Sequence, residues 1–218
     1  MIPTGLSDSK HPEWGSWGGR YGPVAFGEGH FADSVGTVVD ESGRMLMGSH
    51  VTVWRRQEAS FQRDFAARMK WLTVSEFSGA NHAPVAVVNG DKSRRRTEIT
   101  VEPGQEIMPE AVDSCDPDGD SLSFKWWEYF GPSSNNRNAR RDVAELALSS
   151  EGAARITVMI SPAEILRRRG RNTHRESDKR LHLILEVSDG NLISCRGVVF
   201  TIVPGFVSAN GEQNHDEP

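Results

Sequence analysis

From Pro84 to Val203 the chain is a succession of short apolar runs, each closed by Gly, Pro, Asn or Asp. They read PVAVVN, TEITVEP, SLSFKWWEYF, VAELALS, RITVMIS, LHLILEVSDG and LISCRGVVFTIV. Runs of this length with β-branched or alternating residues are strands, and seven of them predict an antiparallel β-sandwich of immunoglobulin type. The last pair is the clearest. Leu181 to Ser188 and Leu192 to Val203 flank Asp189-Gly190-Asn191, a hairpin signal. In SLSFKWWEYF, Leu122, Phe124 and Trp126 share one face by period two, and that face is the one to bury.

The N-terminal third obeys no such rule. Residues 1 to 53 are rich in Gly and Trp and show neither period 2 nor period 3.6, so loop-dominated backbone leaning on another surface is expected. Trp54, Phe61, Phe65, Met69 and Leu72 then recur at spacings of seven, four, four and three. That pattern predicts an amphipathic helix over 55–72, with Arg55, Arg56, Gln62, Arg63 and Lys70 toward water. The small, polar stretch Ser78 to Pro84 marks a boundary, since a proline biases the residue before it away from helix. The polar tail 208–218 is expected to fray.

Composition removes several classes of function. The 218 residues carry 25 Lys plus Arg against 30 Asp plus Glu, a net charge of -5, which gives no general pull toward nucleic acid. No apolar run of about 18 residues is present, so no membrane-spanning helix is expected. The opening MIPTGLSDSKHPEW has no basic n-region and apolar h-region of a signal peptide. The seven histidines form no HxH or HxxxH pair, and there is neither a GxSxG elbow nor a phosphate-cradling glycine loop. Arg167 to Arg171, with Arg175, Lys179 and Arg180, is the sharpest charge cluster; Glu164, Glu176 and Asp178 dilute it, so a solvated loop is expected.

Three groups of residues invite a chemical reading. Asp113, Asp116, Asp118 and Asp120 surround the glycine of DPDGD and are candidate calcium ligands; the alternative is an Asx-turn loop whose carboxylates cap their own amides. Trp127 and Tyr129 lie opposite Trp126 on their strand. They can stack on the apolar faces of sugar rings, or pack against the N-terminal segment. Trp14, Trp17 and Tyr21, with Arg20 beside them, form a second candidate stacking platform. Cys115 and Cys195 are a candidate disulfide, or two unbridged thiols.

Several stretches together carry a resemblance: GLSDSKHPEWGSWGGRYGP, VTVWRRQEASFQRDFAARMKW, NHAPVAVVNGD, DPDGDSLSFKWWEY and LHLILEVSDG. In this order, over residues 3 to 203, they resemble the C-terminal half of a family named after a cellulose-binding protein. Its members pair a nucleoside-hydrolase-like domain with a C-terminal sandwich of immunoglobulin or polycystic-kidney-disease type. The resemblance implies that residues 1–77 are the tail of the hydrolase-like domain and 82–203 the complete module. It also implies a secreted or periplasmic protein. The Asp cluster with which such hydrolases hold calcium and activate water maps onto none of these residues.

A non-catalytic polysaccharide-binding or accessory module is therefore expected. The alternatives are part of an N-glycosyl hydrolase, or a docking domain for a hydrolase-like domain or separate chain.

Overall fold

In the computed structural model the described residues are 5–16, 19–39, 44–48, 61–102, 104–133, 145–161 and 179–203. The architecture is mainly β. A four-stranded sheet is built from β5 (Thr97–Val101), β7 (Ser123–Glu128), β10 (Lys179–Ser188) and β11 (Ile193–Ile202), in the order β5-β11-β10-β7. β11 runs parallel to β5; the other two pairings are antiparallel. A second sheet, in the order β6-β9-β8, comprises β6 (Glu106–Ile107), β8 (Glu145–Leu148) and β9 (Val158–Ser161).

The two sheets close on one core. Val101, Trp126, Leu181, Leu183, Leu185, Val187, Val198 and Phe200 from the large sheet meet Val158 and Ile160 from the small one and Ile156 just before it. Trp126 is fully buried, and its indole Nε1 donates to the Ala153 carbonyl at 2.9 Å, so the polar end of the ring is satisfied inside an apolar layer. Each such side chain contributes roughly 1.5–3 kcal/mol by leaving water. The hairpin forms as expected: Asp189 Oδ1 accepts from the backbone N–H of Asn191 and of Leu192, both at 2.6 Å, and Gly190 takes φ 94° between them.

The large sheet is covered on its other face as well. Leu6, Tyr129, Ile184 and Cys195 form a second buried cluster, flanked by Trp127 and Ile193. The N-terminal segment provides that cover. Gly5 extends the sheet edge: its N–H donates to the Arg94 carbonyl at 2.9 Å and its carbonyl accepts from Gly197 at 2.8 Å. At φ 82° only glycine is comfortable there, and a Cβ would overlap the Cys195 carbonyl.

Three elements differ from the sequence reading. PVAVVN is not a strand. Val85 and Val88 make isolated bridges to Cys115 and Asp91, although Ala86, Val87 and Val88 are buried. The N-terminal region holds two short antiparallel ribbons, β1 (Tyr21–Pro23) with β2 (Phe31–Asp33) and β3 (Gly36–Val39) with β4 (Met45–Gly48). Strands of three or four residues are too short to display a period.

The third difference concerns α1 (Gln62–Trp71), the described part of the helix expected over 55–72. Its apolar stripe was expected to be the buried side, yet Phe65 and Leu72 are 56% and 79% exposed. The side turned toward the sandwich carries Asp64, Ala67 and Trp71 instead. Trp71 fixes that orientation: its indole Nε1 donates to the Asn81 carbonyl at 2.8 Å and its ring stacks on His82. Trp54 lies outside the described residues.

Candidate functional site

Two of the six residues expected to offer a sugar platform are inside the protein. Trp14 is 3% exposed, with His11 stacked on it at 3.9 Å, the guanidiniums of Arg96 and Arg180 over its ring, and the edge of His182 against it. Tyr129 is 1% exposed, because Gly15 at φ 85° brings the N-terminal backbone directly onto its phenol. Neither ring has a face free for a ligand: this corrects the expectation for Trp14, while Tyr129 follows the other reading of its strand and packs against the N-terminal segment. Trp127 is half-buried, edge-on to Tyr129, and its indole N–H donates to Glu186 at 2.9 Å. Arg20 donates to the carbonyls of Glu13 and Val35, and burial lowers its pKa from the ordinary value. Tyr21 is 40% exposed on β1, and Trp17 lies outside the described residues.

The acidic loop is a turn. Asp116 Oδ1 accepts from the N–H groups of Asp118 and Asp120 at 2.8 and 3.2 Å. Asp118 clamps His82, accepting from its backbone N–H at 2.6 Å and lying 3.1 Å from its Nδ1, and the backbone bond first of all holds the Asp118 carboxyl below its ordinary pKa. Asp113 points to Gly90. The four carboxylates do not converge, and among the described residues no group of three or more His, Cys, Asp or Glu is arranged to hold a metal ion. Of the two readings of this loop, the hydrogen bonds are those of the Asx turn, in which short Asp side chains accept from nearby amides. Of the two readings of the cysteines, the structure has the unbridged thiols: Cys115 is exposed beside Val85 while Cys195 is buried in β11 opposite Glu186. Of the arginine run, only Lys179 and Arg180 fall among the described residues.

The buried side of the N-terminal junction is held by a cation. Arg96, 9% exposed, donates from Nε to the Leu6 carbonyl and from Nη2 to the carbonyls of Trp14 at 3.0 Å and Gly15 at 2.8 Å. Its Nη1 lies 3.4 Å from Nδ1 of the fully buried His182. Burial, with Arg96, Arg20 and Arg180 next in effect, pushes the imidazole pKa down to about 2, so His182 is neutral and Nδ1 accepts.

The open site lies on the other side of Gly5. A cavity of about 650 Å³ separates α1 from the sandwich, and five separate stretches of chain line it: Gly5, residues within 61–86, Arg94, Pro117 and 193–196. Its wall is aromatic. Phe77 stacks on His82 at 3.7 Å and is 60% exposed, His82 stacks on Trp71 at 5.4 Å, and Phe61 is 48% exposed. Its polar groups are mainly guanidiniums. Arg68 pairs with Asp64 at 2.7 Å, which raises its pKa, and lies over Trp71. Arg196, 1% exposed, donates from Nη2 to Asp91 Oδ2 at 2.7 Å. The Ser93 backbone N–H and hydroxyl, and then Arg196, hold the Asp91 carboxyl below its ordinary pKa.

None of Phe77, Arg94 and Arg196 stood out in the sequence reading. The one available signal was Arg196 itself, a charge inside the otherwise apolar final strand.

The geometry is that of an aromatic-walled groove beside a mainly β sandwich. Residues 106–202 match the family described as the cellulose-binding protein Sde0182, C-terminal domain. The chain is similar to the solved structure of a nucleoside hydrolase-related hypothetical protein from Saccharophagus degradans that is associated with carbohydrate metabolism. The two share 26% identity with a TM-score of 0.64, over 92% of this chain and 45% of that one. The resemblance read from the sequence is thereby borne out, and the chain spans less than half the length of that relative. An endo-fucoidan hydrolase of glycoside hydrolase family 107 aligns at 17% identity and TM-score 0.30, over 56% of this chain and 14% of its own. A chimeric titin Z1Z2 aligns at 12% and 0.26, over 58% of this chain and 99% of its own. At those scores neither carries an argument. No curated protein matches the chain.

Proposed function

We propose that this chain is a carbohydrate-binding or accessory module, with residues 82–203 as the module and residues 1–77 as the end of a neighbouring hydrolase-like domain. The observation that carries the reading is the groove beneath α1, whose exposed Phe61 and Phe77 rings border the segment that matches a cellulose-binding protein's domain. Sugar rings offer apolar C–H faces that bury well against aromatic rings, and such contacts need no catalytic geometry.

Retention of the chain on cellulose and on a panel of insoluble polysaccharides tests the proposal. The chain is expected to be retained on at least one, and Phe61→Ala with Phe77→Ala is expected to abolish retention. Failure of the unaltered chain to bind any of them refutes the reading. Its non-catalytic half is tested separately: the chain is expected to release no base from nucleosides with or without calcium.

A second reading, a docking domain, rests on the outward stripe of Phe65 and Met69 on α1, continued by Leu72 just past its end. Apolar surface of that size on one helix face is what a partner domain covers. Co-expression with a hydrolase-like chain is expected to give a stable complex if this reading holds.

A further inference from the structure

The groove is more than an apolar shelf, because it holds more cation than its own anions neutralise. Three guanidiniums, Arg68, Arg94 and Arg196, line it. Asp64 is committed to Arg68, Asp91 to Arg196 and Ser93, and Asp118 to His82. Arg94 is exposed and has no acidic partner among the described residues. Arg196 is buried, with its Nη2 held by Asp91 at 2.7 Å.

The backbone presents Arg94 in an unusual way. It sits at φ 56°, a left-handed conformation that long side chains seldom adopt, and the hydrogen bond from Gly5 to its carbonyl holds it there. Such conformations persist where the surrounding structure over-determines them, and they concentrate at ligand sites. Beside this cationic rim stands Phe77, covered by His82 on one face and more than half exposed.

We infer that the groove takes an acidic sugar, a uronate unit of a polysaccharide, with its carboxylate on Arg94 and its ring against Phe77. The inference rests on the carbohydrate-binding reading and narrows it from glycans in general to carboxylated ones. Guanidinium and carboxylate match as planar, bidentate partners, and a pyranose bearing that carboxylate presents an apolar face to the aromatic wall. The same rim disfavours a neutral chain, because filling the groove with hydroxyls alone leaves the cation excess unpaired.

The test uses three soluble probes against the full chain in calorimetry: an oligogalacturonate, the same oligomer fully methyl-esterified, and a cello-oligosaccharide. The oligogalacturonate is expected to bind at least about tenfold more tightly than either neutral probe, with an affinity that falls as salt rises. Arg94→Asn removes the charge with a residue that suits left-handed backbone. It is expected to bring the oligogalacturonate down to the level of its methyl ester while leaving the thermal midpoint unchanged. Equal binding of the acidic and esterified oligomers, or unchanged acid binding by Arg94→Asn, overturns the inference and leaves the carbohydrate reading standing. Binding of none of the three probes, together with no retention on any insoluble glycan, overturns both.

Discussion

The two faces of the four-stranded sheet are held by different physics. The inner face meets the second sheet through apolar side chains alone: Leu181, Leu183, Leu185 and Val187 of β10 project into one continuous core with Trp126 and Phe200. The outer face of the same β10 carries His182 and Ile184 and meets residues 5–16 through a buried guanidinium, a neutral imidazole and Trp14. Burial of hydrocarbon is non-directional and tolerant of solution conditions. A buried polar junction depends on every donor and acceptor staying matched. The first joint should therefore fail only with the whole sandwich, and the second can be released by a single charge.

The largest effect belongs to the inner face. Trp126→Ala empties a fully buried site and orphans the Ala153 carbonyl, and is expected to cost about 3–5 kcal/mol in urea unfolding, with the N-terminal segment released along with the sheet it rests on. Arg96→Met should separate the two joints. It keeps the side-chain length but leaves the carbonyls of Leu6, Trp14 and Gly15 without their donor. The expected loss is about 2–3 kcal/mol, with protease cleavage appearing within residues 5–16 while β10 and β11 stay protected from hydrogen exchange. Uniform loss of protection across both regions would show that the two faces are one cooperative unit.

The same contrast sets a pH dependence. His182 binds a proton only near pH 2 in the folded chain and near pH 6.5 when unfolded. Between these values the unfolded state holds a proton that the folded state does not, so stability falls as pH falls below 6.5. From pH 7 to pH 5 this one group is expected to remove about 2 kcal/mol. His182→Asn, whose side-chain carbonyl can accept from Arg96 in place of Nδ1, is expected to flatten that part of the curve. Denaturant midpoints at the two pH values, measured for both chains, check it; an equal drop in the variant would assign the acid sensitivity to other groups.

The inner face was legible in the sequence and the outer face only in part, for reasons that lie in the residues. Leu122, Phe124 and Trp126 announce their face by period two, and Asp189-Gly190-Asn191 carries its own turn chemistry, so the core and the last hairpin follow from local pattern. Trp14, Arg96 and His182 come from three separate parts of the chain, and nothing local says that a tryptophan will lie under an arginine from elsewhere. The acidic loop misleads for the opposite reason, because its spacing suits a cation and its own amides equally well, and only the fold shows that Asp116 and Asp118 turn to backbone N–H groups. The groove escapes local reading altogether, being made where α1, Arg94 and the start of β11 come together.

Helix α1 sharpens the comparison, because there the apolar side faces out and the side with Asp64, Ala67 and Trp71 faces in. Amphipathicity states which side of a helix is apolar and not whether anything in the same chain covers it. If Phe65 and Met69 contributed to this chain's stability as the inner face does, replacing both with serine would cost several kcal/mol. Their exposures of 56% and 46% imply otherwise. Phe65→Ser with Met69→Ser is expected to shift unfolding by no more than about 0.5 kcal/mol. It is also expected to reduce concentration-dependent association in sedimentation velocity, since an uncovered apolar stripe promotes self-association. A large loss of stability with no change in association would place the stripe inside this chain's own core and remove the basis for a docking face.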